Sequence, residues 1–275
     1  MTAGRIIACF LNGARGRILV VARFPASGSG RAVLVVPPFA EEMNKSRRMV
    51  TEVASRLVKS GIATIVPDLF GTGDSEGEFS AGDWEVWQQD VALAATWAAE
   101  VGWPVFALLG IRLGGALAAE SSRNLLGPVT RTVLWAPVLD GARFLTQFLR
   151  LRVAASMMED GGSESVAGLR ERLQRGETIE VSGYSLSPTL VRRVDKVTLV
   201  DQLGPHAGAV HWIEIMRSEE PAIPESTRAA IALAGNTVQM IKSYAVSGDP
   251  FWSTTEIAIN AELVDKTVAV LTQDP

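Results

Sequence analysis

Thiol chemistry is almost absent from this chain, which has one cysteine, Cys9, in 275 residues. A lone thiol excludes an internal disulfide framework and leaves a zinc cluster without thiolates. Set in an apolar run, Cys9 reads as a buried structural group. Histidine is nearly as scarce, with only His206 and His211. Lys and Arg total 26 against 30 Asp and Glu, the net charge is −4, and no basic block occurs, so no nucleic-acid partner is expected. No apolar run approaches the ~18 residues of a membrane span, and the first five residues lack the apolar region of a secretory signal. These absences point to a cytoplasmic protein with no membrane span, no metal centre and no cofactor. The oligomeric state is left open.

What is present is apolar strand and helix. A hydrophobic content of 47% suits one large α/β domain with an insertion, or two small domains. Residues 6–11 and 17–24 alternate as an antiparallel edge hairpin that turns at Asn12-Gly13. Residues 32–37 and 63–67 are continuous apolar runs, the signature of strands covered on both faces. Between them, residues 38–48 read as a polar loop feeding a helix that runs to about Ser60, with Met49, Val53, Leu57 and Val58 as its apolar stripe. The loop at residues 68–77 is glycine-rich. It lacks the Lys-Ser/Thr ending of a phosphate loop and does not open into a helix. Asp83 is the expected N-cap of a helix to Ala99, and Trp84, Trp87, Trp97 and Trp103 read as packing residues.

Residues 105–116 organise the rest. An apolar strand turns into a helix through Gly110-Ile111-Arg112-Leu113-Gly114, with glycines two residues before and after the apex. This spacing resembles the G-x-S-x-G nucleophile elbow of α/β-hydrolases, with arginine at the serine position. The helix is expected to reach about Leu126, broken by Gly127-Pro128. A strand follows at 130–137. The alternation implies a mostly parallel central sheet with helices on both faces, wound by right-handed crossovers. The expected division is a first part of an α/β-hydrolase core at 1–141, a helical cap insertion at 142–203, and the second part of the core at 204–275. That last part should hold strands at 209–216 and 238–245 and helices at 224–234 and 261–271.

Serine hydrolysis needs a nucleophile, a histidine to take its proton and an acid to orient that histidine, in the chain order nucleophile, acid, histidine. Arg112 cannot be the nucleophile, because a guanidinium stays protonated and has no lone pair to offer. Glu219 and Glu220 follow the strand at 209–216 and stand where the acid is expected; Asp140 stands at an alternate place after an earlier strand. The histidine belongs in the loop after the last strand, residues 247–253, and that loop has none. His206 and His211 both precede Glu219, and His211 reads as a core or edge histidine within a strand. No catalytic residue is therefore assigned.

Several segments together are distinctive: residues 38–49 (PFAEEMNKSRRM), 68–75 (DLFGTGDS), 110–114 (GIRLG), 183–188 (GYSLSP) and 249–252 (DPFW). The chain resembles the exosortase A system-associated hydrolases of type 2, over about residues 32–252. The resemblance implies an α/β-hydrolase-like protein encoded with bacterial exopolysaccharide and exosortase systems.

Helix N-termini favour anions, and the Leu113 N–H, with one from residues 39–41, would make an oxyanion-type donor pair. Arg112 adds a full charge there. A buried unpaired charge costs several kcal/mol, so Arg112 must meet a partner. Two are expected: an internal ion pair with Glu41 or Glu42, or an anionic ligand such as a carboxylate or phosphate group of a glycan or lipid precursor. Arg112 should also take φ > 0. The expected ligand-facing set is Phe39, Ala40, Glu41, Glu42, Arg112, Leu113 and Trp252. The expected function is a non-catalytic or atypical ligand-binding homologue. The alternatives are an ester or thioester hydrolase using carboxylates beside Arg112, and a protein-interaction partner acting through the cap.

Overall fold

In a computed structural model, residues 4–28, 30–125, 127, 129–159 and 164–273 are described. The chain forms an eight-stranded sheet in the order β1-β2-β4-β3-β5-β6-β9-β10. β1 (Arg5–Asn12) and β2 (Arg17–Phe24) are the expected antiparallel hairpin, with β1 at the sheet edge. β2 joins β4 (Ala63–Pro67) antiparallel. From there on, β3 (Ala32–Val36), β5 (Val105–Ile111), β6 (Arg131–Trp135), β9 (His206–Met216) and β10 (Val238–Ser247) run parallel.

The central strands are apolar on both sides because both sides are covered. In β3 every residue is buried. Leu34 and Val36 join one apolar cluster while Val33 and Val35 join the other, as period-2 side chains must. The second cluster lies under α1 (Glu41–Lys59) and α9 (Ala261–Thr272), which supply Met49, Val53, Leu57, Leu263 and Leu271. The first lies under α2 (Trp84–Glu100), α3 (Leu113–Ser121) and α8 (Glu225–Ala234). Between β6 and β9 come α4 (Gly141–Glu159), α5 (Val166–Gln174), the hairpin β7 (Ile179–Val181) and β8 (Tyr184–Leu186), then α6 (Pro188–Val194) and α7 (Leu199–Leu203). Arg193 of α6 bonds Glu120 of α3 at 3.1 Å and Glu85 of α2 at 3.2 Å, tying this segment to the core helices.

Three expectations need correction. Residues 41–48 are not loop; they form the first two turns of α1. Glu41 and Glu42 suit the positive end of the helix, and Glu42, Met43 and Ser46 bury one face of those turns. α3 ends at Ser121, with Ser122 as its C-cap, short of Leu126; Leu126 and Pro128 lie outside the described residues, as do residues 160–163. Cys9 is half-buried rather than buried, because the edge strand β1 has a covered face and an open one. The Asp83 cap is as expected, its carboxylate accepting from Val86 N–H at 2.8 Å. Trp84 and Trp87 are buried, and the rings of Trp97 and Trp103 lie against Phe24. Among the described residues, no helix is long and apolar enough to cross a membrane.

Leu109 in β5 is fully buried beneath the helix face formed by α1 and α9. Leu109→Ala is expected to lower unfolding free energy by about 2–5 kcal/mol, read from urea denaturation midpoints at unchanged slope.

Candidate functional site

The elbow is built as its glycines require. A Cβ on Gly110 would stand 2.6 Å from the Gly115 Cα, and one on Gly114 would lie well inside contact distance of the Pro37 carbonyl. Only bare backbone lets the end of β5, the start of α3 and the β3–α1 connection converge. At the apex Arg112 has φ 54° and ψ −123°, the expected positive φ. Its N–H donates to Trp135 O at 3.0 Å, and its carbonyl accepts from Gly115 and Val138 N–H. Facing it, Ala40 at the start of α1 takes nearly the same angles, φ 52° and ψ −129°. Ala136, after β6, also has positive φ, at 40°. Such conformations cost on the order of 1–3 kcal/mol each, and here three of them converge on one point.

The Arg112 side chain is four-fifths buried and held from three directions. Nε donates to Glu42 Oε1 at 3.3 Å. Nη1 donates to the Ala136 carbonyl at 2.8 Å. The guanidinium lies over the Trp252 ring, 4.5 Å from its centroid, a favourable cation–π placement. The ion pair expected with Glu41 or Glu42 thus forms with Glu42. Glu41 is the neighbouring residue: its Oε2 is buried without a hydrogen-bond partner among the described residues, and burial pushes its carboxyl up despite a bond to its own N–H.

Glu42 is the most perturbed carboxyl in the site. Burial pushes its pKa up to about 7, against the lowering effect of the Arg112 charge. Among the described residues its Oε2 has no hydrogen-bond partner, and one oxygen, Oε1, meets the guanidinium. The attraction is therefore weaker than a two-pronged Arg–carboxylate contact and does not offset the loss of water.

Next to the apex is an apolar recess of about 20 Å³, lined by Phe39, Ala40, Leu113, Leu69 and Trp87 among others, room for about one water. Phe39 makes edge-to-face contacts with Phe79, Trp87, Phe144 and Phe148. Phe144 and Phe148 come from α4, and Tyr184 of β8 packs edge-on against Phe79. The segment between β6 and β9 thus fills the space in front of the elbow with rings.

The remaining expected residues lie elsewhere. Glu219 and Glu220 are exposed on the turn after β9, where the Glu220 backbone bonds with Ser218 Oγ. Asp140 is exposed and accepts from Arg143 N–H at 2.7 Å at the start of α4. His211 is buried within β9, its Nδ1 3.4 Å from Tyr244 Oη, and burial with the nearby Lys242 and Arg131 charges lowers its pKa to about 4. His206 is the first residue of β9. The loop at 68–77 is closed on itself: the Asp68 carboxylate accepts from Asp74 N–H, and Ser75 Oγ donates to Asp68 O. Among the described residues, no three His, Cys, Asp or Glu side chains gather as metal ligands. The sequence reading missed the Ala136 carbonyl and the ring cluster on Phe39. The first is a backbone group with no side-chain signal; the second joins residues over a hundred positions apart.

A family model described as serine aminopeptidase, S33, matches residues 30–216. The chain belongs to this family. Est1E from Butyrivibrio proteoclasticus, solved with ferulic acid bound, is 15% identical with a TM-score of 0.66, covering 96% of this chain and 97% of that one. A proline iminopeptidase of Mycobacterium smegmatis is 13% identical with a TM-score of 0.62, covering 97% of each. An α/β serine hydrolase homologue from Coxiella burnetii is 14% identical with a TM-score of 0.58, covering 96% and 97%. These likenesses establish a shared fold. No curated protein matches the chain.

Because the Glu42 carboxyl ionises less readily in the fold than its ordinary value of 4.5, the folded state holds a proton there that the unfolded chain has lost. That contribution is fully present below pH ~4.5 and is lost as pH rises through about 7. Buried Asp90, also pushed up to about 6, acts in the same sense. The expected outcome is therefore a difference: Glu42→Gln is less pH-dependent in stability than wild type between pH 4.5 and 7.5, by chemical denaturation. Arg112→Met should cost about 3 kcal/mol at pH 8, where a buried carboxylate loses its cation, and measurably less at pH 5, where the carboxyl is neutral.

Proposed function

We propose that this chain is a non-catalytic or atypical α/β-hydrolase homologue, a binding or accessory protein of exopolysaccharide and exosortase systems. One observation carries the loss of acyl chemistry: the elbow apex is an arginine already held by Glu42, the Ala136 carbonyl and Trp252. Trp252 comes from the loop after the last strand, where the base of a serine hydrolase belongs. The system association rests on the distinctive segments at 38–49, 110–114 and 249–252. In this reading the site takes a small anionic or acyl- or glycan-related ligand. The Leu113 and Phe39 N–H groups and the guanidinium edge left free by Glu42 supply its donors, with residues 142–203 acting as a cap. The protein works in the cytoplasm.

A second reading is favoured by one observation, the buried Glu42 carboxyl set 3.3 Å from the Arg112 guanidinium with its pKa pushed up to about 7. A carboxylate so poised beside a cation can take a proton from water, which would make the chain an ester or thioester hydrolase of unusual design. The two readings part on p-nitrophenyl acetate and an acetyl thioester. The first expects turnover no faster than buffer, with Arg112→Ala and Glu42→Gln indistinguishable from wild type. Turnover that disappears in both variants would overturn it in favour of the second.

A further inference from the structure

A second cavity lies on the face of the sheet covered by α1 and adjoins the elbow recess, with which it shares Pro37, Pro38 and Met43. Its volume is about 140 Å³, well above the ~10–15 Å³ that admits a single water. Its floor is aliphatic: Val21 of β2, Val35 of β3, Val66 of β4 and Val50 of α1 line it. Arg23 and Arg47 also line it.

Arg23 is the unusual member. It lies in β2 opposite Thr64 of β4 and is half-buried. Among the described residues no carboxylate, carbonyl or ring takes its guanidinium. Burial lowers its pKa, and no neighbouring carboxylate counters that effect. An arginine nevertheless stays charged, so a cation without a carboxylate partner among the described residues borders the cavity.

Arg47 is only loosely engaged, with Nη2 at 3.2 and 3.4 Å from the Asp68 oxygens. Asp68 also accepts from Asp74 N–H at 3.0 Å. The cavity's hydroxyls are occupied: Ser46 Oγ donates to Glu42 O and Thr51 Oγ1 to Arg47 O. With two cations against one carboxylate the lining is net positive, and its remaining donors are guanidinium N–H groups above an aliphatic floor.

We propose that this cavity binds a small aliphatic carboxylate, its head between Arg23 and Arg47 and its tail on the four valines. Planar guanidinium N–H pairs match carboxylate oxygens. A short hydrocarbon tail suits the valines where a fully hydrated anion does not. Arg112 does not line this cavity, and the proposal does not rest on the function proposed for the elbow.

The test is calorimetric titration of the intact protein with butyrate, against butyramide as the uncharged isostere and inorganic phosphate as charge without a tail. Butyrate should saturate with Kd about 1 mM or tighter, with butyramide and phosphate each at least tenfold weaker. Arg23→Met should weaken butyrate at least tenfold, while Arg112→Ala should bind it like wild type. Thr51→Phe, which fills the cavity from its outer wall, should abolish binding and covers the case in which Arg23→Met fails to fold. Absence of saturation in wild type would overturn the proposal. So would butyramide or phosphate matching butyrate, butyrate binding undiminished in Arg23→Met or Thr51→Phe, or butyrate binding lost in Arg112→Ala.

Discussion

The site depends on one constraint, the turn that carries the chain from β5 into α3. Two glycines let three backbone segments approach more closely than any side chain permits, and the residue between them is forced to positive φ with its side chain directed into the cleft. Any residue at position 112 inherits that location. With an arginine there, the surroundings must neutralise a cation that cannot lose its proton. Glu42, the Ala136 carbonyl and Trp252 are the groups that do so. They come from three separate connections in the sheet: the start of α1, the end of β6 and the loop after β10.

The balance inside this cluster is uneven. Arg112 has an ion-pair partner, an amide oxygen and an aromatic face, whereas Glu42 has one point of contact and an unpartnered oxygen. Removing water from Glu42 therefore outweighs what Arg112 returns, and its carboxyl titrates near neutrality. The strained backbone at Ala40 lies two residues before it. Strain and desolvation thus gather at one spot and are sustained by the two-sided apolar sheet, whose central strands are buried on both faces.

Much of this was legible in the sequence because it was written in local pattern. Continuous apolar runs marked the buried strands, the glycine spacing marked the elbow, Asp83 marked a helix start, and a double glutamate beside a misplaced arginine marked the ion pair. The sequence was less clear where polarity misled. Residues 41–48 look like loop by composition, yet their buried positions Glu42, Met43 and Ser46 follow helical spacing and face inward. Asp140, Glu219 and Glu220 occupy plausible places for an acid, but a position after a strand does not determine which way a side chain turns, and all three are exposed. The rings of Phe144, Phe148 and Tyr184 over Phe39 and Phe79 depend on how a long connection folds back, which no local pattern encodes.

The stacking of Trp252 on Arg112 ties the fate of one position to two others. A serine at position 112 would restore one letter of the elbow while leaving Glu42 buried without its cation and a tryptophan where a proton acceptor belongs. Such a substitution would strand a buried carboxyl and uncover one face of the indole. Positions 42, 112 and 252 are thus coupled through one guanidinium, so the effects of substitutions at the three on stability do not add.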